Sequence, residues 1–304
     1  MTSSRKCNGL PLQQRPVRSG PHRAAMRFAA LLLSFALAGC GAPQSPPAAG
    51  GPDRIVSLSG GITETVVELG LRDNLVGRDV SSDRPEVADV PVVTQGHDVS
   101  AEAVLQLAPS VVLLDARTGP PEAVAALREA GVAVVEIPEA WSLEQVPARV
   151  RAVAAAVDRR ADGQTLVRTM NRQLTSLPRI PSAPRVAFLY LRGSAAVYLI
   201  GGDGSGADSL VEAVGGVDAG SEAGLGSFTP LTPEALAEAA PDVILVMSKG
   251  LESVGGVTGL LALPGVAQTP AGRDRRIVAI PDGELLNFGP RTPETLAELA
   301  DRLT

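Results

Sequence analysis

Short apolar runs alternate with segments of helical periodicity along the chain after residue 53. In the first half, the pattern predicts strands at 54–59, 75–77, 111–114 and 132–137, and helices at 63–71, 100–107 and 121–130. Continuous apolar runs such as Val111–Leu114 are typical of parallel strands that are covered on both faces. The β-α-β-α-β order therefore predicts an open parallel sheet.

The pattern changes between residues 142 and 178, where strand signals nearly vanish. A sequence rich in Ala, Arg, Leu and Gln predicts one helix starting near Pro147 and a second from Gly163 to Leu177, with a break at Asp162-Gly163. The second helix would be about 22 Å long at 1.5 Å per residue. We interpret this region as a helical spine between two lobes.

The second half repeats the pattern of the first. It predicts strands at 185–190, 196–200, 243–247 and 276–280, and helices at 208–214, from Thr232 and from Thr292. Ser100–Asp115 aligns without gaps with Thr232–Met247, which indicates a duplicated lobe or, alternatively, two generic β-α-β segments. The predicted fold is α/β, with two Rossmann-like lobes and parallel-rich sheets joined by a rigid helical spine. The N-terminal lobe would span residues 53–157, the connecting helix 158–183 and the C-terminal lobe 184–304.

The N-terminus has the pattern of an export signal. Met26-Arg27 precedes an apolar run, Phe28–Ala38, which is too short for a permanent membrane span. The run ends in Leu37-Ala38-Gly39-Cys40, which resembles a bacterial lipoprotein signal. We therefore predict a signal peptide over 1–39, lipidation of Cys40 and a flexible tether over 40–52. The basic stretch before Met26 is either a long n-region or precedes a true start at Met26, and we favour the latter. The alternative for Cys40 is an ordinary cysteine in a signal-like run.

Charge and cysteine content narrow the function classes. Residues 1–39 hold six Lys or Arg and no Asp or Glu, so their removal lowers the net charge from −6 to −12. This charge disfavours nucleic acid as a partner, whereas it suits a basic protein surface. No cysteine remains for a disulfide, because Cys7 lies before the cleavage site and Cys40 would carry lipid.

Scarce residue types converge on the predicted strand ends. Beyond residue 40 the chain has one His, two Tyr, two Met and one Lys. Four of these six lie at a predicted strand end or after an apolar run. Tyr190 and Met247 end predicted strands, Lys249 follows one of them, and His97 follows the apolar run Val90–Val93. Ligands of open parallel sheets bind beyond the carboxyl ends of the strands, so a site between the two lobes is predicted.

Two of these residues suit haem iron. Imidazole and phenolate are both axial ligands of haem, and Arg192 lies on the same side of its strand as Tyr190, where a guanidinium favours the phenolate. The alternative for each residue alone is a half-buried polar side chain without a ligand.

Several motifs together resemble the haem-binding lipoproteins of bacterial ABC importers, within the class that also carries siderophores and cobalamin. They are the lipoprotein signal, the Arg54–Gly70 strand-turn-helix with Thr63-Glu64, Val76–Asp79, His97 before Ser100-Ala101-Glu102, and Phe188–Gly193. The resemblance covers residues 53–304.

The resemblance implies a role for particular residues. His97 and Tyr190 would be the axial ligands of the iron of haem b, the transported ligand; Arg192 would support the tyrosine, and Met247 would pack near the haem. Glu64 and Glu212 would be surface glutamates that dock on the permease. The candidates for contact with the haem propionates are Arg78, Arg117 and Lys249. Other implied partners are the ATPase of the importer and upstream haem donors, with the protein held by its lipid at the extracytoplasmic face of the membrane.

Two other functions stay open. The first is a siderophore or cobalamin carrier of the same class, and the second is an exported enzyme on the same scaffold. The enzyme is disfavoured because the sequence offers no serine or cysteine partner for its single remaining histidine. Gly202–Ala207 fits a relaxed dinucleotide-binding pattern, but a lone match is weak and we interpret it as a turn. A single histidine also disfavours a zinc or manganese carrier.

Overall fold

The first half of the chain folds around a four-stranded parallel sheet. The computed structural model describes residues 51–304; the predicted signal peptide, Cys40 and residues 40–50 of the predicted tether lie outside this range. In chain order the elements are β1 (Ile55–Ser57), α1 (Gly60–Glu68), β2 (Leu75–Arg78), β3 (Thr94–Gln95), β4 (Asp98–Val99), α2 (Ala101–Gln106), β5 (Val111–Leu114), α3 (Pro121–Glu129) and β6 (Ala133–Glu136). The sheet order is β2–β1–β5–β6, and β5, which the apolar run predicts residue for residue, is buried throughout.

The second half forms a larger, mixed sheet. It follows the helices α4 (Val146–Ala156) and α5 (Arg160–Thr175). Its elements are β7 (Arg185–Arg192), β8 (Val197–Gly201), α6 (Ala207–Ala213), β9 (Val217–Asp218), α7 (Ala219–Glu222), β10 (Phe228–Pro230), α8 (Pro233–Ala239), β11 (Val243–Met247), α9 (Ser248–Ser253), α10 (Gly256–Ala262), α11 (Pro270–Asp274), β12 (Ile277–Ile280), α12 (Asp282–Leu285) and α13 (Thr292–Leu303). The order is β10–β8–β7–β11–β12, with β9 also pairing with β7. Strand β8 runs antiparallel to β7 and β10, whereas β9, β11 and β12 are parallel to β7 or to one another.

The two sheets share a topology. The order β2–β1–β5–β6 corresponds to β9–β7–β11–β12, and the helix before β5 and the helix before β11 begin in the same way. Ser100 Oγ accepts a hydrogen bond from the Ala103 N–H at 3.2 Å, and Thr232 Oγ1 accepts one from the Ala235 N–H at 3.1 Å. This agreement favours the duplicated-lobe interpretation. The pair β8 and β10 is the addition that distinguishes the second sheet.

Helix α4 connects the two halves by packing into both of their cores. Val146 and Val150 lie in a cluster with the second sheet, whereas Val153 and Val157, at the end of the same helix, lie in a cluster with the first. The predicted helix break at Asp162-Gly163 is absent: Gly163 does not interrupt α5. It lies inside α5 at the crossing with α4, where a Cβ would come within 2.3 Å of the Ala154 Cβ.

None of the helices within residues 51–304 is long and apolar enough to cross a membrane. The architecture is the predicted α/β fold, in which two parallel-rich sheets are joined through helices. The apolar runs produce it because each strand that is buried on both faces requires helices on both sides.

Candidate functional site

A cleft of about 470 Å³ lies at the carboxyl ends of the strands, with walls from both sheets. This volume is in the range of pockets that hold small molecules and cofactors. The structure brings together six of the seven residues predicted to contact haem. The cleft-lining residues among them are His97, Arg117, Tyr190, Arg192, Met247 and Lys249.

His97 lies at the tip of the two-residue hairpin formed by β3 and β4. Gly96 precedes it in the left-handed region, at φ +62°, which allows the tight turn. Gly119 fastens the hairpin: its N–H donates to the His97 carbonyl at 2.9 Å, and its carbonyl accepts from the Val99 N–H at 2.6 Å. The imidazole is exposed and lines the cleft. No group of three or more His, Cys, Asp or Glu suited to holding a metal ion occurs within residues 51–304.

Tyr190 faces the cleft from β7, which is paired on both sides. Its ring meets the ring of Phe228 edge to face, with 5.7 Å between centroids and an interplanar angle of 69°. The Arg192 guanidinium lies over the face of the Tyr190 ring, with its Cζ 4.6 Å from the ring centroid. Arg192 therefore lies beside Tyr190 in the cleft, with its guanidinium on the face of the ring.

The cationic side chains of the cleft are paired with carboxylates. Lys249 Nζ forms an ion pair with Asp83, and Arg192 Nη1 lies 3.6 Å from Asp282 Oδ2. Met247 is buried at the end of β11 and contributes an apolar side chain to the lining of the cleft.

Arg117 is held by a network on the wall formed by the first sheet. Its Nη2 lies 3.3 Å from Asp115 Oδ2, its Nε lies 3.1 Å from Glu139 Oε1, and its Cζ lies 4.5 Å from the Trp141 ring centroid. The Trp141 Nε1–H donates to Glu139 Oε2 at 3.2 Å. This network fixes the guanidinium against the wall of the cleft.

Arg78 is the one predicted haem contact that the structure does not place in the cleft. It is buried, and its guanidinium donates to the backbone carbonyls of Val87 at 2.9 Å, Val90 at 3.0 Å and Ser82 at 2.8 Å. A guanidinium committed to carbonyls in this way holds the 82–90 segment in place. The prediction of a propionate contact at Arg78 is therefore not supported by its position.

The two predicted docking glutamates differ in exposure. Glu212 is exposed on α6, as a docking residue must be. Glu64 is only 6% exposed, and its Oε1 accepts the N–H of Arg291 at 2.6 Å. Gly289 also packs on it, since a Cβ there would lie 2.6 Å from the Glu64 carboxyl carbon. The expected surface position of Glu64 is corrected to a buried one.

Burial shifts the pKa values of two titratable groups, Glu64 and Arg149, that each bond to the segment after β12. Desolvation raises the pKa of Glu64 to about 7, against the opposing effects of the Arg291 N–H and the charges of Arg84 and Arg291. Desolvation also lowers the pKa of Arg149 to about 10. The Arg149 guanidinium donates to the Asn287 carbonyl at 2.8 Å and to the Pro138 carbonyl at 3.2 Å, which ties α4 to the segment after β12.

Sequence reasoning missed three functional candidates: Asp83, Asp282 and Trp141. Asp282 follows a predicted strand, so the strand-end rule that selected Lys249 also applies to it. Asp83 lies in an irregular segment and reaches the cleft only through the tertiary fold. The only sequence signal for Trp141 is that it is the single tryptophan of the chain.

Two lobes stand on either side of a cleft, and helix α4 packs into the cores of both. The match to the periplasmic binding protein family covers residues 55–283, and the chain belongs to this family. The family consists of binding proteins of transporters, which confirms the predicted family and the expectation that the chain is not an enzyme.

The similar solved structures include haem-binding proteins. The periplasmic haem-binding protein RhuT from Roseiflexus sp. RS-1 is 41% identical, with 83% of this chain and 98% of that chain covered and a TM-score of 0.79. The haem-binding protein HmuT is 40% identical over 83% of this chain and 84% of that chain, with a TM-score of 0.76. HmuT has also been solved with alanine replacing a histidine, a tyrosine, or an arginine two positions after that tyrosine.

Curated relatives are more distant. A Bacillus subtilis ABC transporter substrate-binding lipoprotein is 22% identical, covering 92% of this chain and 97% of its own length. A cobalamin-binding protein of Halobacterium salinarum is 26% identical, covering 82% of this chain and 69% of its own. The chain is thus an extracytoplasmic substrate-binding protein of an ABC transporter.

Proposed function

We propose that the protein binds haem b in the cleft and delivers it to an ABC importer. His97 and Tyr190 are the axial ligands of the iron, one from each wall. Arg192 positions the tyrosine ring, and Met247 packs under the macrocycle. The haem is cargo, so the protein needs to hold and release it without any chemical conversion.

One observation carries the proposal: the cleft brings His97 together with Tyr190 and its stacked Arg192, from opposite halves of the chain. His97 is the only histidine within residues 51–304. The same three residue types are those replaced in the solved variants of HmuT, where the arginine also follows the tyrosine by two positions. Imidazole and phenolate are both established types of haem ligand.

The test is a titration of the purified protein with hemin, followed in the Soret region. The wild type is expected to give a saturable, shifted band. His97→Ala and Tyr190→Phe are each expected to change that band, since each removes one ligand atom and leaves the packing of the other wall intact. Tyr198→Phe is the matched control, because Tyr198 packs in the core behind the second sheet. Unchanged spectra in both ligand variants would overturn the assignment.

Cobalamin is the second candidate ligand, since the Halobacterium salinarum relative is a cobalamin-binding protein. Its cobalt is already held by the corrin ring and needs no pair of axial protein ligands. Saturable binding of cyanocobalamin, unaffected by Tyr190→Phe and without a hemin Soret shift, would favour this function. Two titrations of one preparation therefore separate the candidates.

We further propose that the partners are a permease and its ATPase, with Glu212 on the docking surface and upstream haem donors supplying the cargo. Cys40 carries the lipid that holds the protein at the extracytoplasmic face of the membrane. Loss of membrane association after Cys40→Ala, with hemin binding intact, is the expected result of a fractionation experiment. Membrane association without Cys40 would contradict the lipid anchor.

A further inference from the structure

An ion pair joins the two walls of the cleft at its rim. Lys249 lies at the start of α9 in the second half, and Asp83 lies in the segment after β2 in the first half. Both side chains line the cleft, and both are partly exposed, at 59% and 30%. A ligand that enters between the walls therefore meets this pair.

Asp83 is held close to the opposite wall at a second point. A Cβ on Gly283 would lie 2.4 Å from Asp83 Oδ1, so the carboxylate sits directly over the Gly283 backbone. The neighbouring Asp282 accepts the Lys249 N–H at 2.9 Å and lies beside Arg192. Asp83, Lys249, Asp282 and Arg192 form a charge-balanced set, which we call the rim cluster.

The members of the rim cluster differ in how firmly they are held. Asp282 bonds to a backbone N–H and its side chain is only 14% exposed, so its position is fixed by the fold. The contact between Asp83 and Lys249, by contrast, joins two side chains, the carboxylate and the ammonium. A carboxylate of the ligand has the same charge and the same hydrogen-bonding atoms as Asp83, so the two compete for one ammonium.

We propose that Asp83 is an internal competitor of the ligand: a carboxylate at the edge of the bound molecule takes the place of Asp83 on Lys249 and thereby releases the link between the walls. This inference rests on the proposed function, because haem carries two such carboxylates. It makes Asp83 and Lys249 specificity-determining residues. A ligand without carboxylates gains nothing from Lys249 and leaves the link intact.

The test compares hemin with hemin dimethyl ester at low ionic strength. Asp83→Asn keeps the shape of the side chain and removes the competing charge. We expect it to tighten hemin binding by about two- to fivefold, which is the upper part of the range for exposed ion pairs. Binding of the dimethyl ester should not change. The hemin effect should shrink in high salt, because exposed charges are screened.

Two further variants sharpen the result. Asp89→Asn removes a carboxylate that pairs with Arg72 outside the cleft, and it should leave both dissociation constants unchanged. In a Lys249→Gln background, Asp83→Asn should no longer tighten hemin binding, because the contested ammonium is absent. Melting temperatures of all variants establish that each is folded.

The outcomes separate this inference from the proposed function. If the wild type shows no saturable hemin binding, the proposed function fails and the inference fails with it. If hemin binds normally but Asp83→Asn leaves its affinity unchanged or weakened, only the inference fails. Equal tightening of hemin and its dimethyl ester would also overturn it, since the gain would then not depend on carboxylates.

Discussion

The guanidinium of Arg192 lies over the face of the Tyr190 ring, 4.6 Å from its centroid, while Phe228 meets the same ring edge to face. The tyrosine is thus held by two neighbours and by a strand paired on both sides. Its side chain lines the cleft, and these contacts restrict the orientation of its ring.

Arg192→Ala is expected to weaken hemin binding about two- to fivefold and to broaden the Soret band, since an exposed cation–π contact contributes roughly 0.5–1 kcal/mol. The physical reason is that Tyr190 gains rotamer freedom when the guanidinium no longer covers its ring. Spectral titration checks both effects. Arg273→Ala, in the second half but outside the cleft, is the control; a wild-type band and affinity in Arg192→Ala would contradict a positioning role.

Glu64 should make stability depend on pH. Its folded-state pKa, about 7, lies above the ordinary 4.5, so the folded protein holds a proton there that the unfolded chain loses first. The stabilising effect is fully present below pH 4.5 and is lost as pH rises through 7; the shift corresponds to roughly 3 kcal/mol. Glu64→Gln removes this loss, so its melting temperature should exceed that of the wild type by roughly 5–10 °C at pH 8 and converge with it at pH 4.5.

Glu68→Gln is the control for that experiment. Glu68 lies on the same helix and its Oε1 is 3.9 Å from Arg291 Nε, but the buried Glu64 remains in this variant. Its melting temperature should follow pH in parallel with the wild type. Parallel curves for Glu64→Gln and the wild type would show that Glu64 is not the group responsible.

Gly61→Ala is expected to destabilise the protein although alanine favours helices. The new Cβ would lie 2.2 Å from the Asn287 carbonyl oxygen and 2.6 Å from Arg149 Nη1, and a backbone carbonyl cannot move away cheaply. Overpacking of this kind costs roughly 1–3 kcal/mol, which lowers the melting temperature by roughly 3–10 °C. Gly226→Ala is the control, because a Cβ at that position would meet no atom within 4 Å beyond its chain neighbours. Equal melting temperatures for the two variants would contradict the contact.

Trp141 should report on occupancy of the cleft. It is the chain's only tryptophan, and it stacks on Arg117, which lines the cleft. Hemin absorbs where tryptophan emits, so binding should quench the fluorescence, with the same dissociation constant as the Soret titration. Saturation of the Soret change without quenching would place the hemin away from this wall.

The sequence predicts the framework of this fold because the framework depends on local pattern. Val111–Leu114 and Val243–Met247 are continuous apolar runs, and both strands begin and end where those runs do. The two-residue strands β3 and β4 give no such signal, since Gly119 holds them from another part of the chain. The direction of β8 also could not be predicted, because an apolar run is equally compatible with parallel and antiparallel pairing.

The candidate site, like the fold, could be predicted from local sequence only in part. The strand-end rule identifies Tyr190, Met247 and Lys249, because parallel strands end at one edge of a sheet. His97 stands out only as the single remaining histidine, and it lies in the turn between β3 and β4. Glu64 and Arg78 were misplaced because their surroundings come from tertiary contacts. Glu64 is covered by a residue 227 positions away, and Arg78 is enclosed by carbonyls of a segment without regular pattern. Burial of a polar group is decided by its partners, which local sequence does not specify.

Lys249 is also the only lysine within residues 51–304. An amine-directed dye or crosslinker will therefore modify this part of the chain at one place, the rim of the cleft. Its ammonium is partly exposed, so a reagent can reach it without unfolding the protein. A fluorophore attached there would serve as the energy acceptor for Trp141, the chain's single tryptophan, without an engineered cysteine.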